Sequence, residues 1–371
     1  MGRIRVLIVE DSLTVRKRLR EAIEEDSAFE VVGEAADGLA AVEKCRTLRP
    51  DVVSLDMELP GINGVDVARR VMADCATPIL VVSASVNRGE ALNTFDALQA
   101  GAVEVYDKSQ MGSNPGWSAD LRALLRQVSR IPVISRAWYG EGGMLKRAAA
   151  ARDAASGTAR VEPARSADAA LDTPLRLVAI GASTGGPAAV ARILGALPPT
   201  FPVPILLVLH VAPLFGGMLV EWLGQQTPLK VTMATEGMAI PTPGAPATVF
   251  VAPPERHMIV EAGRLQLTAD PEVHCCRPSI DVLFSSIARE CGSNVLGCVL
   301  TGMGCDGAAG LLAMRRSGAR TLVQDEASSV VFGMPREAIA LGAAEFVLSP
   351  EEIAHALCQY AVARTRRSQS S

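Results

Sequence analysis

No CxxC pair occurs in this chain and only four histidines are present, so a zinc framework is not expected. The eight cysteines are scattered, and adjacent Cys275 and Cys276 cannot easily bridge each other. They read as reduced thiols, and the chain as cytoplasmic. Formal net charge is only -4, with no basic tail or cluster, so nucleic-acid binding is not expected. A long unbroken apolar run is missing as well. The most apolar stretch, Phe201 to Val220, is interrupted by Pro202, Pro204, His210 and Pro213. It reads as a buried strand and a loop, which excludes direct membrane insertion. Arg3 and Arg5 precede a short strand and then Glu10 and Asp11, which is not the pattern of a signal peptide.

What is present is apolar residue in quantity, 49% of 371 positions, enough for two cores. Short apolar runs at Ile4–Val9, Val31–Ala35, Asp51–Leu55, Ile79–Val82 and Ala102–Tyr106 alternate with helical patterns. Strand–helix alternation predicts a (βα)5 parallel, doubly wound unit over residues 1–128. Residues 129–172 then turn rich in Ala, Arg, Ser, Asp and Glu, and read as a linker. A second doubly wound, mainly parallel α/β domain is expected over 173–365, with a tail at 366–371. Its strands are predicted at Leu177–Ile180, Ile205–Leu209, Val231–Ala234, Thr248–Ala252, Val295–Leu300, Thr321–Gln324 and Glu345–Leu348. His257–Thr268 reads as a β-hairpin turning at Glu261–Arg264.

Parallel sheets carry their sites at the carboxyl ends of the strands. Glu10 and Asp11 end the first strand, Asp56 the third, Ser83 the fourth, and Lys108 follows the fifth. Three carboxylates crowded together repel one another, and a hard cation with oxygen ligands, Mg2+, relieves that repulsion. Lys108 adds a positive charge, and the Ser83 hydroxyl a hydrogen bond for a phosphoryl group.

In the second domain, Gly181-Ala182-Ser183-Thr184-Gly185 follows a strand and opens a helix. That satisfies G-x-S-x-G, with Ser183 exposed at a sharp turn beside free helix N–H groups. The motif alone leaves a merely tight βα turn open. It is not a dinucleotide or P-loop turn, because the glycine spacing and the lysine are wrong. A serine needs a base. His210 ends the next strand and falls on the same sheet edge; His257, His274 and His355 lack that placement, with His274, near a loop, a weak rival. Thr301-Gly302-Met303-Gly304-Cys305-Asp306-Gly307 follows a later strand and offers Asp306 to orient the base, although a turn or helix cap is an open reading. The order Ser, His, Asp is not the α/β-hydrolase order, so that fold is excluded.

The first domain resembles a two-component receiver. The marks are Val9-Glu10-Asp11-Ser12, Leu55-Asp56-Met57, Pro60-Gly61-Ile62-Asn63-Gly64, Val82-Ser83-Ala84 and Asp107-Lys108. The chain as a whole resembles the chemotaxis-type protein-glutamate methylesterases, on the segments 181–186, His210 and 301–307, with Arg277–Asp281 and Phe332–Pro335 supporting the cleft. The resemblance implies Asp56 as phosphoacceptor, a Ser183–His210–Asp306 triad, and the Met303 N–H with the group at Thr184 as oxyanion support. It implies hydrolysis of methyl esters on receptor glutamates, and deamidation of receptor glutamines, without a cofactor for the esterase. It implies chemoreceptor cytoplasmic helices as substrate and a chemosensory histidine kinase as phosphodonor. It also implies that the unphosphorylated receiver restrains the second domain. Two departures stand out: Ser109 follows Lys108 where the family has proline, and Val105 stands where an aromatic switch is common, Tyr106 being one place late. A switched binding protein with a degenerate hydrolase domain is the alternative. A DNA-binding regulator would need a basic recognition helix, which 175–360 does not offer.

Overall fold

A computed structural model describes residues 2–84, 88–133, 175–244 and 246–362. The chain divides into two compact units, 1–163 and 164–371. Most of the expected linker, from 134 on, and the expected tail lie outside the described residues.

The first unit runs β1 (Ile4–Val9), α1 (Leu13–Glu24), β2 (Phe29–Ala35), α2 (Gly38–Leu48), β3 (Val52–Leu55), α3 (Gly64–Asp74), β4 (Ile79–Ser83), α4 (Arg88–Ala100), β5 (Glu104–Asp107), α5 (Gln110–Ser113) and α6 (Trp117–Val128). The helices begin where side chains take over orphan backbone donors. Ser12 accepts from the Val15 N–H, Asp37 from Ala40 and Asn63 from Asp66. The five strands form one sheet in the order β2-β1-β3-β4-β5, all parallel. Every residue of β3 and β4 is buried, as strands with helices on both faces must be. Tyr106 points inward, only 4% exposed, and its hydroxyl donates to the Trp117 carbonyl at 3.1 Å.

The second unit runs β6 (Leu177–Ala182), α7 (Gly186–Ala196), β7 (Ile205–Leu209), α8 (Gly216–Gln226), β8 (Lys230–Met233), β9 (Thr248–Val251), β10 (His257–Glu261), β11 (Arg264–Thr268), α9 (Ile280–Cys291), β12 (Val295–Val299), α10 (Ala308–Arg316), β13 (Arg320–Gln324), α11 (Met334–Ala340), β14 (Phe346–Leu348) and α12 (Pro350–Val362). Its sheet has the order β14-β13-β12-β6-β7-β9-β8 and is parallel throughout. The chain leaves β6 in one direction, toward β7, and later returns to its other flank as β12. The topology therefore reverses between β6 and β12, and their carboxyl ends border the crevice where ligands enter such sheets. The antiparallel hairpin β10–β11 turns at Ala262-Gly263 and is tied to α9 by the Val260 N–H, which donates to Ser286 Oγ at 3.0 Å.

Candidate functional site

Ser183 is the first residue after β6. Strand register pairs Ala182 with Leu209, so Ser183 and His210 are the next positions on adjacent strands. The His210 N–H donates to Ala182 O at 3.0 Å and fixes that neighbourhood. On its other side the Ser183 N–H donates to Thr301 O at 3.0 Å, which draws in the loop after β12. Two glycines permit this approach. A methyl on Gly302 would meet Met334 Sδ and stand 2.8 Å from Ser183 Cβ. Gly185, at φ +76, starts α7 in a left-handed conformation and presses on Val330. Gly302→Ala should cost about 1–3 kcal/mol by overpacking, read as a shift in the urea midpoint, and should displace Ser183.

His210 Nε2 lies 3.0 Å from Asp306 Oδ2. Asp306 is 2% exposed, yet both of its oxygens accept hydrogen bonds. Oδ1 accepts from Ser279 Oγ at 2.8 Å and the Asp281 N–H at 3.0 Å, and Oδ2 accepts from the Ile280 N–H at 2.8 Å. The carboxylate thus sits on the N-terminus of α9, where free amides and the helix dipole favour negative charge. Burial pushes its pKa up. The bond to His210 and the two amides more than offset that, and hold it below the usual carboxylate value. For His210, burial pushes the pKa down, but the bond to Asp306 and the Cys276 thiol carry it up to about 9. Cys276 Sγ is 3.7 Å from Nδ1, the ring nitrogen turned away from Asp306.

Ser183 Oγ makes no hydrogen bond among the described residues, to His210 or otherwise; such contacts commonly tighten only when substrate binds. The Met303 side chain is 54% exposed, and its backbone N–H donates no hydrogen bond among the described residues. Thr184 is buried, and its carbonyl accepts from Thr301 Oγ1 at 2.9 Å. Thr301 also accepts the Val331 N–H at 2.9 Å, and its own N–H donates to the buried Gln324 at 2.8 Å. Gln324 in turn donates to Ser328 O at 2.9 Å. This polar brace under the loop carries no motif of its own, and sequence reasoning passed over Gln324. Cys276 was missed in the same way as a neighbour of the site, whereas Asp281 falls in the segment expected to support the cleft and His274, the weaker candidate base, pairs with it rather than with Asp306. His274 Nε2 lies 3.0 Å from Asp281 Oδ2. His257 is structural: it is fully buried, and Nδ1 accepts from the Ser279 N–H at 3.1 Å.

The acidic pocket of the first unit assembles from the residues expected. Lys108 Nζ lies 2.7 Å from Glu10 Oε2 and 2.9 Å from Asp56 Oδ2. Oxygens of Glu10, Asp11 and Asp56 lie within 4.8 Å of one another. Glu10 and Asp56 are buried and Asp11 is exposed. Burial, with Asp56 adding and Lys108 opposing, raises Glu10 to about 7. Hard oxygens crowded into excess negative charge suit a Mg2+ ion. Ser83 ends β4 with no exposure. Ser109 donates its N–H to Asp107 Oδ1 at 2.9 Å, a bond proline could not make.

Comparison with known proteins bears on both units. The response regulator receiver domain profile matches residues 6–113, and the CheB methylesterase profile matches 178–357. A protein-glutamate methylesterase/protein-glutamine glutaminase of Anaeromyxobacter dehalogenans is 41% identical over 355 residues, covering 95% of this chain and 96% of that one. The chain belongs to the CheB methylesterase family. A relative of the same description from Pseudomonas aeruginosa is 39% identical, over 97% of this chain and 98% of its own. The Thermotoga maritima CheB methylesterase catalytic domain is 32% identical and covers 50% of this chain and 99% of its own, with a TM-score of 0.47. The two profile matches show a receiver domain followed by a CheB methylesterase domain in this chain.

Proposed function

We propose that this chain is a serine esterase, switched by phosphorylation, that removes methyl esters from receptor glutamates and deamidates receptor glutamines. One observation carries the reading: Ser183, His210 and a helix-bound Asp306 meet at the switch point of one parallel sheet. Full-length similarity to protein-glutamate methylesterases/protein-glutamine glutaminases supports the substrate class.

In this reading His210 Nδ1 takes the Ser183 proton, because Asp306 holds the other ring nitrogen. Oγ attacks the γ-carbonyl of a methylglutamate, and the Met303 N–H with the Thr184 backbone stabilises the developing oxyanion. The proton passes to the departing methanol, and water releases the glutamate by the same steps in reverse order. An amide substrate differs only in its leaving group, so the same groups serve glutamine. Asp306 keeps the imidazole in one tautomer and stabilises its charged form.

Asp56 is the phosphoacceptor, and Glu10, Asp11 and Asp56 would hold Mg2+, whose charge offsets that of the incoming phosphoryl group. Lys108 and Ser83 would bind the phosphoryl oxygens. The phosphodonor is a chemosensory histidine kinase, and the substrate is the cytoplasmic helices of membrane receptors. No helix among the described residues is long and apolar enough to cross a membrane itself.

Methanol release from methylated receptor membranes, with and without a small phosphodonor, tests the assignment. The wild type should be stimulated by the phosphodonor. Asp56→Asn should keep basal release and lose stimulation; a stimulated Asp56→Asn would overturn the phosphoacceptor.

A further inference from the structure

Two chains of carboxylate, imidazole and thiol meet in the loop that precedes α9. In one, Asp306 Oδ2 is 3.0 Å from His210 Nε2, and Cys276 Sγ is 3.7 Å from His210 Nδ1. In the other, Asp281 Oδ2 is 3.0 Å from His274 Nε2, and Cys305 Sγ is 3.5 Å from His274 Nδ1. In each, the carboxylate faces Nε2 and the sulfur faces Nδ1. An imidazole so placed accepts the thiol proton, and the thiolate is the nucleophile.

The two thiols are not equivalent. Burial, together with the carboxylates of Asp281, Glu337 and Asp306, holds the Cys305 thiol up and disfavours its thiolate. Cys276 is half-buried, within reach of a small reagent, and shares the nitrogen that Asp306 leaves for base catalysis. Cys275 is exposed, and makes no hydrogen bond among the described residues.

We propose that Cys276 is a modification site for low-molecular-weight disulfides, and that an adduct there silences the esterase by occupying the space at His210 Nδ1. The inference rests on His210 being the base of the reaction proposed above. The thiol proton moves from Cys276 Sγ to His210 Nδ1. The thiolate attacks one sulfur of the disulfide, a new S–S bond forms to Cys276, and the reagent's own S–S bond breaks. The departing thiolate takes the proton back from His210, so one thiol and one disulfide give one mixed disulfide and one thiol. No other oxidant is needed, and a dithiol reverses the step. The adduct stands between His210 Nδ1 and the position of Ser183, and the base can no longer reach the hydroxyl.

The full chain should be treated with oxidised glutathione, sampled over time for methanol release and for peptide-mapped glutathionylation. Loss of activity should track label at Cys276, reach about 10²–10⁴-fold, the contribution of a positioned general base, and reverse with dithiothreitol. Cys276→Ser and Cys276→Ala, each normalised to its own untreated rate, should resist, while Cys275→Ser and Cys305→Ser stay sensitive. Ser183→Ala, with no esterase activity to lose, should still label at Cys276 at the wild-type rate, and His210→Ala should label at least about tenfold more slowly. These labelling rates separate this proposal from the esterase reading, since they need no turnover. Activity loss that tracks Cys275 or Cys305, or full label at Cys276 with activity intact, would overturn it.

Discussion

Ser183→Ala should lower methanol release by about a millionfold in kcat, to the residual rate that binding and the oxyanion site sustain alone. The side chain lost is a single hydroxyl at the end of β6, so the fold should be unmoved. Backbone bonds hold this turn: the Ser183 N–H to Thr301 O and the Gly186 N–H to Ser183 O. Circular dichroism and the thermal midpoint should match the wild type. Binding of methylated receptor membranes should survive, because only the nucleophile is gone. A serine-directed fluorophosphonate should label the wild type at Ser183 and leave the variant unlabelled. A Ser183→Ala protein that released methanol at the wild-type rate would remove the triad and leave the degenerate binding protein as the reading.

The second large effect belongs to Asp306→Asn. The carboxylate faces four donors: His210 Nε2, Ser279 Oγ and the N–H groups of Ile280 and Asp281. Asparagine offers one oxygen and turns an NH2 group toward donors, so at least one buried N–H is left unpaired. A stability loss of about 1–3 kcal/mol follows from that mismatch. Catalysis should fall by about 10³–10⁴-fold, since the imidazole loses the partner that fixes its tautomer and stabilises its cation. The pH dependence gives this prediction a sharper edge. His210 must be neutral to act as a base, and its pKa is raised to about 9. In the free wild type kcat/KM should therefore climb from neutral pH and level off above about 9. The titratable groups facing the ring are Asp306 and Cys276, and removing the first should move that limb toward the ordinary imidazole range. For stability the sign is opposite. A raised histidine pKa contributes stability in full below the unfolded value of about 6.5, and loses it as pH rises through 9. The residue thus favours fold at low pH and turnover at high pH. A wild-type profile already flat between pH 7 and 9, with Asp306→Asn unshifted, would disconnect His210 from the rate.

Much of this was legible in the sequence because parallel sheets punctuate themselves. Apolar runs such as Ile205–Leu209 stop just before the residue that carries the chemistry, and their shortness between turn residues marks strands buried on both faces rather than helices. The hairpin was legible from Gly263 and its flanking alternation. Ser183 and the glycines of 301–307 were legible because a sharp turn and a close backbone approach demand small residues. Other features follow from tertiary approach alone. Nothing in the local sequence of Gln324 announces that it accepts the Thr301 N–H, and Cys276 meets His210 across 66 positions. Asp306 left a turn or helix cap open as a second reading. In the structure it does cap a helix, but α9 rather than the helix that follows it. Tyr106, one place after the position where an aromatic switch is common, is a buried ring tied to the start of α6.

The seating of Asp306 on α9 has a bearing on how this chemistry could be moved to another scaffold. Three catalytic side chains on three loops look like a graft of a few residues each. The acid, however, is held as a ligand by a helix end that contributes no triad member, through Ser279 Oγ and the amides of Ile280 and Asp281. Copying the loops without that helix end would leave Asp306 free to turn toward water and His210 without an oriented partner. The smallest portable unit is two neighbouring strand ends, the loop after β12, and the first turn of α9, set at their native angles.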